Sequence, residues 1–282
     1  IPNPPFINDA FPLLSEKHKT WLTIRNDDIY SMRWANVDYA RKFITSIPHV
    51  ELVAGYYMGP DGYLWGRDFL NKNTLQHPPL VIKKQWVSNR IWGRLSFDPT
   101  VPKEVFTSMI EQQFAGKHTS DLVPAWEAAS LIFPYITRFV WGDIDLKWFP
   151  EANISSKRYR GFYTVAEYIH RQPMAGCNIA GITEWLHADA RGKGVKSPLV
   201  IADSLTLLAN QALNGLKKLP PYSPTVDNEL QQTQSDIEAF ATIGLYYASK
   251  IQAAYALAEF DKTNDPTFKQ KSLSWLKKAE PA

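Results

Sequence analysis

Two short segments concentrate the side chains able to do acid–base chemistry. Arg25-Asn26-Asp27-Asp28 closes one apolar run, and Tyr57-Met58-Gly59-Pro60-Asp61-Gly62-Tyr63-Leu64-Trp65-Gly66-Arg67-Asp68 closes another. Carboxyl groups placed this way suit glycoside hydrolysis, which needs one protonated carboxylic acid and one carboxylate across the scissile bond. Asp61 is the first catalytic candidate, and Asp28 and Asp27 are its partners from the neighbouring segment. Arg25 and Arg67 carry planar guanidinium groups that can fork a sugar carboxylate or lower the pKa of an adjacent Asp. Tyr57, Tyr63, Trp65 and Trp86 offer rings that stack on the C–H faces of sugars. Plainer readings compete: Gly-Pro-Asp-Gly is a common turn, paired Asp residues cap helices, and tryptophans fill cores.

Other chemistry is poorly represented. Glu184, in Gly181-Ile182-Thr183-Glu184-Trp185, is a further substrate-binding candidate, with helix capping as its competing role. His49, His77 and His170 are isolated, without the spacing of a zinc site. Asp143 and Asp145 lack the additional oxygen ligands that calcium requires. There is no glycine-rich phosphate loop and no Gly-x-Ser-x-Gly elbow. No metal or cofactor is therefore expected.

The 282 residues carry a net charge of +3, without a dense basic run interleaved with aromatics, so nucleic acid is not an expected partner. No apolar run reaches the roughly 18 residues of a membrane helix. Cys177 is the only cysteine and rules out an internal disulfide. That suits cytoplasm or a bacterial exported protein without disulfides; the expectation adopted is periplasmic or secreted. Ten Trp, 13 Tyr and 14 Phe make up 13% of the chain, in keeping with a carbohydrate partner.

The elements that must position these residues follow from periodicity. Apolar runs predict strands opening at 21–29 and at 51–58, and a third at Leu80–Ile82. Helical spacing predicts helices over 36–47, with Asn36 as cap, and over 87–95 and 102–114. Strand–helix alternation of this kind is the rhythm of parallel βα units. Three units do not close an eight-stranded barrel. The expectation is an α/β fold of (β/α)8 TIM-barrel type, of which residues 1–120 are the later half, with earlier strands preceding Ile1. Residues 121–282 are expected to form an all-α C-terminal domain, with helices over 121–139, 198–218, 226–261 and 267–278 and an irregular stretch over 141–196. The long helices also suit a homo-oligomer.

Arg25-Asn26-Asp27-Asp28 with Arg33-Trp34, the Gly55–Asp68 segment, Trp92–Pro99, Trp148-Phe149-Pro150-Glu151 and Asp236–Ile251 together resemble a group of bacterial glycoside-hydrolase-like proteins. A more distant similarity is to α-glucuronidases of glycoside hydrolase family 67, which join a (β/α)8 barrel to a helical C-terminal domain. Gly59-Pro60-Asp61 is similar to a strand end of that family bearing a catalytic carboxylate, and Ile91–Pro99 is similar to another of its segments. The resemblance implies that Asp61 is one member of a carboxylate pair. The family's second catalytic Glu has no counterpart here, where Lys83-Lys84-Gln85-Trp86 stands instead. The expected function is a glycoside hydrolase acting on a polysaccharide or oligosaccharide containing uronic acid; the alternative is a non-catalytic carbohydrate-binding protein on a degenerate barrel.

Overall fold

A computed structural model describes residues 17–23, 32–57, 81–114, 119–140, 163–174, 176–187, 192, 194–221 and 229–280. The strands among them are β1 (Thr20–Thr23) and β2 (Val53–Tyr57), paired in parallel. Between them runs α1 (Val37–Thr45), where the Asn36 side chain accepts from the Tyr39 N–H at 2.7 Å as its cap. This strand–helix–strand unit agrees with the sequence reading. The expected (β/α)8 barrel is not shown: among the described residues there are two strands, and the rest is mostly helical.

The expected third strand at Leu80–Ile82 is also corrected. The chain is helical from Val81, as α2 (Val81–Lys84) and then α3 (Trp86–Phe97). Three apolar residues are too few to hold a strand against the helical spacing that follows, where Val87, Ile91 and Leu95 are all buried on one side.

Beyond α3 come α4 (Lys103–Gln113), α5 (Thr119–Ser130) and α6 (Ile132–Phe139). The sequence reads the last two as one helix over 121–139, but the chain breaks at Leu131. Pro134 has no N–H to give to the carbonyl of Ser130. That carbonyl instead accepts from the Trp34 indole at 2.8 Å, so a helix break becomes an anchor for the segment after the first acidic motif. Trp126 answers from α5, donating to the Arg33 carbonyl at 2.8 Å.

Two short helices, α7 (Val165–Ile169) and α8 (Ile182–Leu186), lie in the stretch read as irregular. The long helices α9 (Pro198–Leu216), α10 (Glu229–Thr263) and α11 (Pro266–Ala279) match their predicted places within a few residues. The 35-residue α10 is the spine, packing on α5 through α9 and on α11. Small residues bring these helices close. A methyl group on Gly215 of α9 would stand 2.6 Å from the Ala125 side chain. One cluster of buried side chains runs from Trp34 to Ala258 and so crosses residue 120. Among the described residues no helix is long and apolar enough to cross a membrane.

Candidate functional site

The parallel register places Thr23 opposite Tyr57, so the chain leaves both strands at the same edge of the sheet. The two acid-bearing segments start from these neighbouring points. Asp27, Asp28, Asp61, Arg25, Arg67, Tyr63 and Trp65, and the side chain of Tyr57, lie outside the described residues. So do Asp143, Asp145 and His77.

What is described is where the chain returns from those segments, at Met32–Asn36 and at Val81–Trp86. Both returns meet the N-terminal turns of α10. The guanidinium of Arg33, 5% exposed, donates to Glu229 through Nε at 2.7 Å and Nη2 at 3.0 Å, a two-pronged fork. Its Nη1 donates to Asp236 Oδ2 at 2.8 Å, and its backbone N–H reaches the same oxygen at 2.9 Å. Nη2 also donates to the Gln232 side chain. Glu229, Gln232 and Asp236 share one face of α10 by their spacing of three and four. Glu229 sits in the first turn, where the helix dipole favours an anion.

Burial opposes the charge of Arg33, but its hydrogen bond to Glu229 and the fields of both carboxylates outweigh that, and its pKa is raised. Lys84 stands in the same group. Burial, reinforced by Arg33, pushes its pKa down despite the pull of Asp236 and Glu229. The second return is tied to the first directly, because the Gln85 amide donates to the Met32 carbonyl at 2.9 Å.

Trp86, a predicted ring-stacking residue, belongs to this group. It is half-buried, its indole N–H points at Glu229 Oε1 across 3.3 Å, its ring meets Phe114 edge-on, and the Arg90 guanidinium lies 5.7 Å from its centroid. Glu184 is exposed and accepts from the Gly181 N–H at 3.1 Å, the capping role the sequence allowed. The structure thus brings Trp86, but not Glu184, to the returns of the acidic segments. Sequence reasoning missed Arg33, Lys84, Glu229 and Asp236 as a unit. The one available signal was the Glu229/Gln232/Asp236 spacing, which says nothing about its partner almost 200 positions away.

Chemically this group is a frame rather than an acid–base pair: the Arg33 guanidinium bonds both carboxylates, the Lys84 charge lies within their field, and the Trp86 N–H points at Glu229. Among the described residues no three His, Cys, Asp or Glu side chains gather as a metal site.

Comparison with protein-family models and with curated proteins finds no match. Among solved structures the chain is similar to a GH138 enzyme described as targeting pectin rhamnogalacturonan II, with a TM-score of 0.64 at 15% sequence identity. That match is to a family other than the α-glucuronidases the sequence resembles. It covers 93% of this chain and 32% of the other, so this chain spans about a third of the length of that protein. At such identity the likeness is one of fold: these residues are built like one part of a larger glycoside hydrolase.

Proposed function

We propose that this chain forms part of a glycoside hydrolase acting on an acidic plant polysaccharide of the pectic kind. Asp61 is the leading catalytic carboxylate, with Asp28 and then Asp27 as its partner. Arg25 and Arg67 orient a uronate carboxylate, while Tyr57, Tyr63, Trp65 and Trp86 line sugar subsites. The observation that carries this reading is the parallel pairing of Thr23 with Tyr57, which sends both acid-bearing segments out from one edge of the sheet. In βα folds that edge, at the C-terminal ends of the strands, is where active sites are built. The Arg33 clamp supports the reading, since it fixes where the first segment returns, and the Gln85 amide ties the second return to it. The fold likeness to a pectin-targeting enzyme supports the substrate class. Specificity for glucuronic acid has no such support.

A second reading is a carbohydrate-binding protein without turnover. It is favoured by Trp86, which stands where the family 67 resemblance calls for a catalytic Glu. Hydrolysis of pectic, glucuronoxylan and neutral oligosaccharides by the protein and by Asp61→Asn separates the two. We expect cleavage of an acidic substrate that falls by at least about a hundredfold in the variant while binding persists. Binding without turnover by either form establishes the second reading.

A further inference from the structure

Along the outer side of α3 a groove of about 810 Å³ opens between α3 and α4. One wall is Asn89, Arg90, Gly93 and Arg94, and the other is formed by Glu104, Val105, Ser108, Met109 and Gln112. The buried ring of Phe106 closes the floor. At 100° per residue, Trp86, Arg90, Gly93 and Phe97 fall on one face of α3. Trp86 marks one end of that face. Phe97, 94% exposed, marks the other, three turns and about 16 Å away.

Three features give the groove a chemistry. Arg90 and Arg94 are one turn apart on the same wall, and neither makes an ion pair among the described residues. Arg90 is held in place by the Trp86 ring. Among the described residues Glu104 is the one carboxylate in the lining, against two guanidinium groups, with Asp98 one turn beyond Arg94 within reach of its field, and Asn89, Ser108 and Gln112 are neutral hydrogen-bonding groups. Gly93 keeps the space between the arginines clear: a methyl group there would meet nothing within 4 Å. A glycine in mid-helix costs about 0.5–1 kcal/mol relative to alanine, and no neighbouring atom requires one here.

We propose that this groove is a second carbohydrate-binding site, taking a short acidic oligosaccharide whose carboxylates are forked by Arg90 and Arg94 and whose hydroxyls meet Asn89, Ser108 and Gln112. No residue of β1 or β2 lines the site, which holds chain rather than cutting it. The proposal rests on the carbohydrate reading above for its ligand class.

The test is calorimetric titration of the full chain with an oligogalacturonate and with a neutral oligosaccharide of the same length. The acidic ligand is expected to bind, more weakly as salt rises, and the neutral one not to. Arg90→Gln with Arg94→Gln should weaken binding about tenfold or more. Gly93→Leu fills the groove without touching the core, so it should remove the groove's binding event from the titration, leaving that of the catalytic candidates, while its melting temperature holds or rises. Equal affinity in both variants overturns the proposal, as does equal binding of the neutral ligand or none of the acidic one. Groove-dependent binding by a protein with no turnover leaves this site standing and removes the catalytic reading. Turnover lost in Asp61→Asn, with groove variants that bind like the parent, removes this site alone.

Discussion

At the scale of single residues, Lys250 shows how burial sets charge. Its side chain is packed among tyrosines, with Nζ 4.6 Å from the Tyr168 ring, 5.4 Å from Tyr246 and 5.5 Å from Tyr247. Desolvation pushes its pKa down to about 8, against the opposing field of the Glu167 carboxylate. The rings ease the cation's presence without replacing water. A folded-state pKa below the unfolded value of 10.5 means that the unfolded chain binds more protons between the two values. Stability from this group therefore rises with pH from about 8, and its cost is felt in full below that. Burial raises the pKa of Tyr168, so the tyrosine side of the cluster acts oppositely, losing stability as pH rises above the ordinary tyrosine value of 10.0. Lys250→Met should accordingly be more stable than the parent at pH 7 and should lack the gain that the parent shows from pH 8 towards 10.5. Urea denaturation across that range reads both effects; a parent whose stability is flat there contradicts them.

At the scale of elements, close approach of helices depends on small residues placed where backbones meet. Gly215 lets α9 lie against α5, its missing side chain leaving room for Ala125 and the Asp121 carbonyl. Gly215→Ala should cost about 1–3 kcal/mol through overpacking, despite the better helix propensity of alanine. The exposed Gly93 is the internal control, since alanine there meets nothing and should stabilise by about 0.5–1 kcal/mol. Thermal melts of the two variants should move in opposite directions. The break between α5 and α6 belongs to this scale too: Pro134 frees a carbonyl, and the Trp34 indole takes it.

At the scale of the whole molecule, Arg33 joins the return from the first acidic segment to the spine helix. Removing it would strip Glu229 and Asp236, with side chains 28% and 18% exposed, of their shared ion-pair partner and leave the Lys84 charge as the cation whose field reaches both. Arg33→Ala should cost about 3 kcal/mol or more, the usual penalty for breaking a buried charge pair from one side. Glu229→Gln in the same background should return part of that loss, because it removes one orphaned charge. Chemical denaturation of the single and double variants measures the coupling, and additive losses would refute the clamp.

Local signals were enough for the parts of this protein governed by near neighbours. The cap at Asn36, the α1 and α9–α11 helices, and the two parallel strands followed from periodicity and capping, because those forces act within a few residues. Glu184 as a cap was legible for the same reason. The turn of Val81–Lys84 into helix, the partner of the carbonyl that Pro134 frees and the Arg33 clamp were decided by packing: by a buried face shared along α3, by an indole nearly a hundred residues upstream, and by carboxylates near the other end of the chain. A run of types along a chain records which groups are available. Which donor meets which acceptor depends on the packing of distant segments, and that information is present only once the helices have closed on one another.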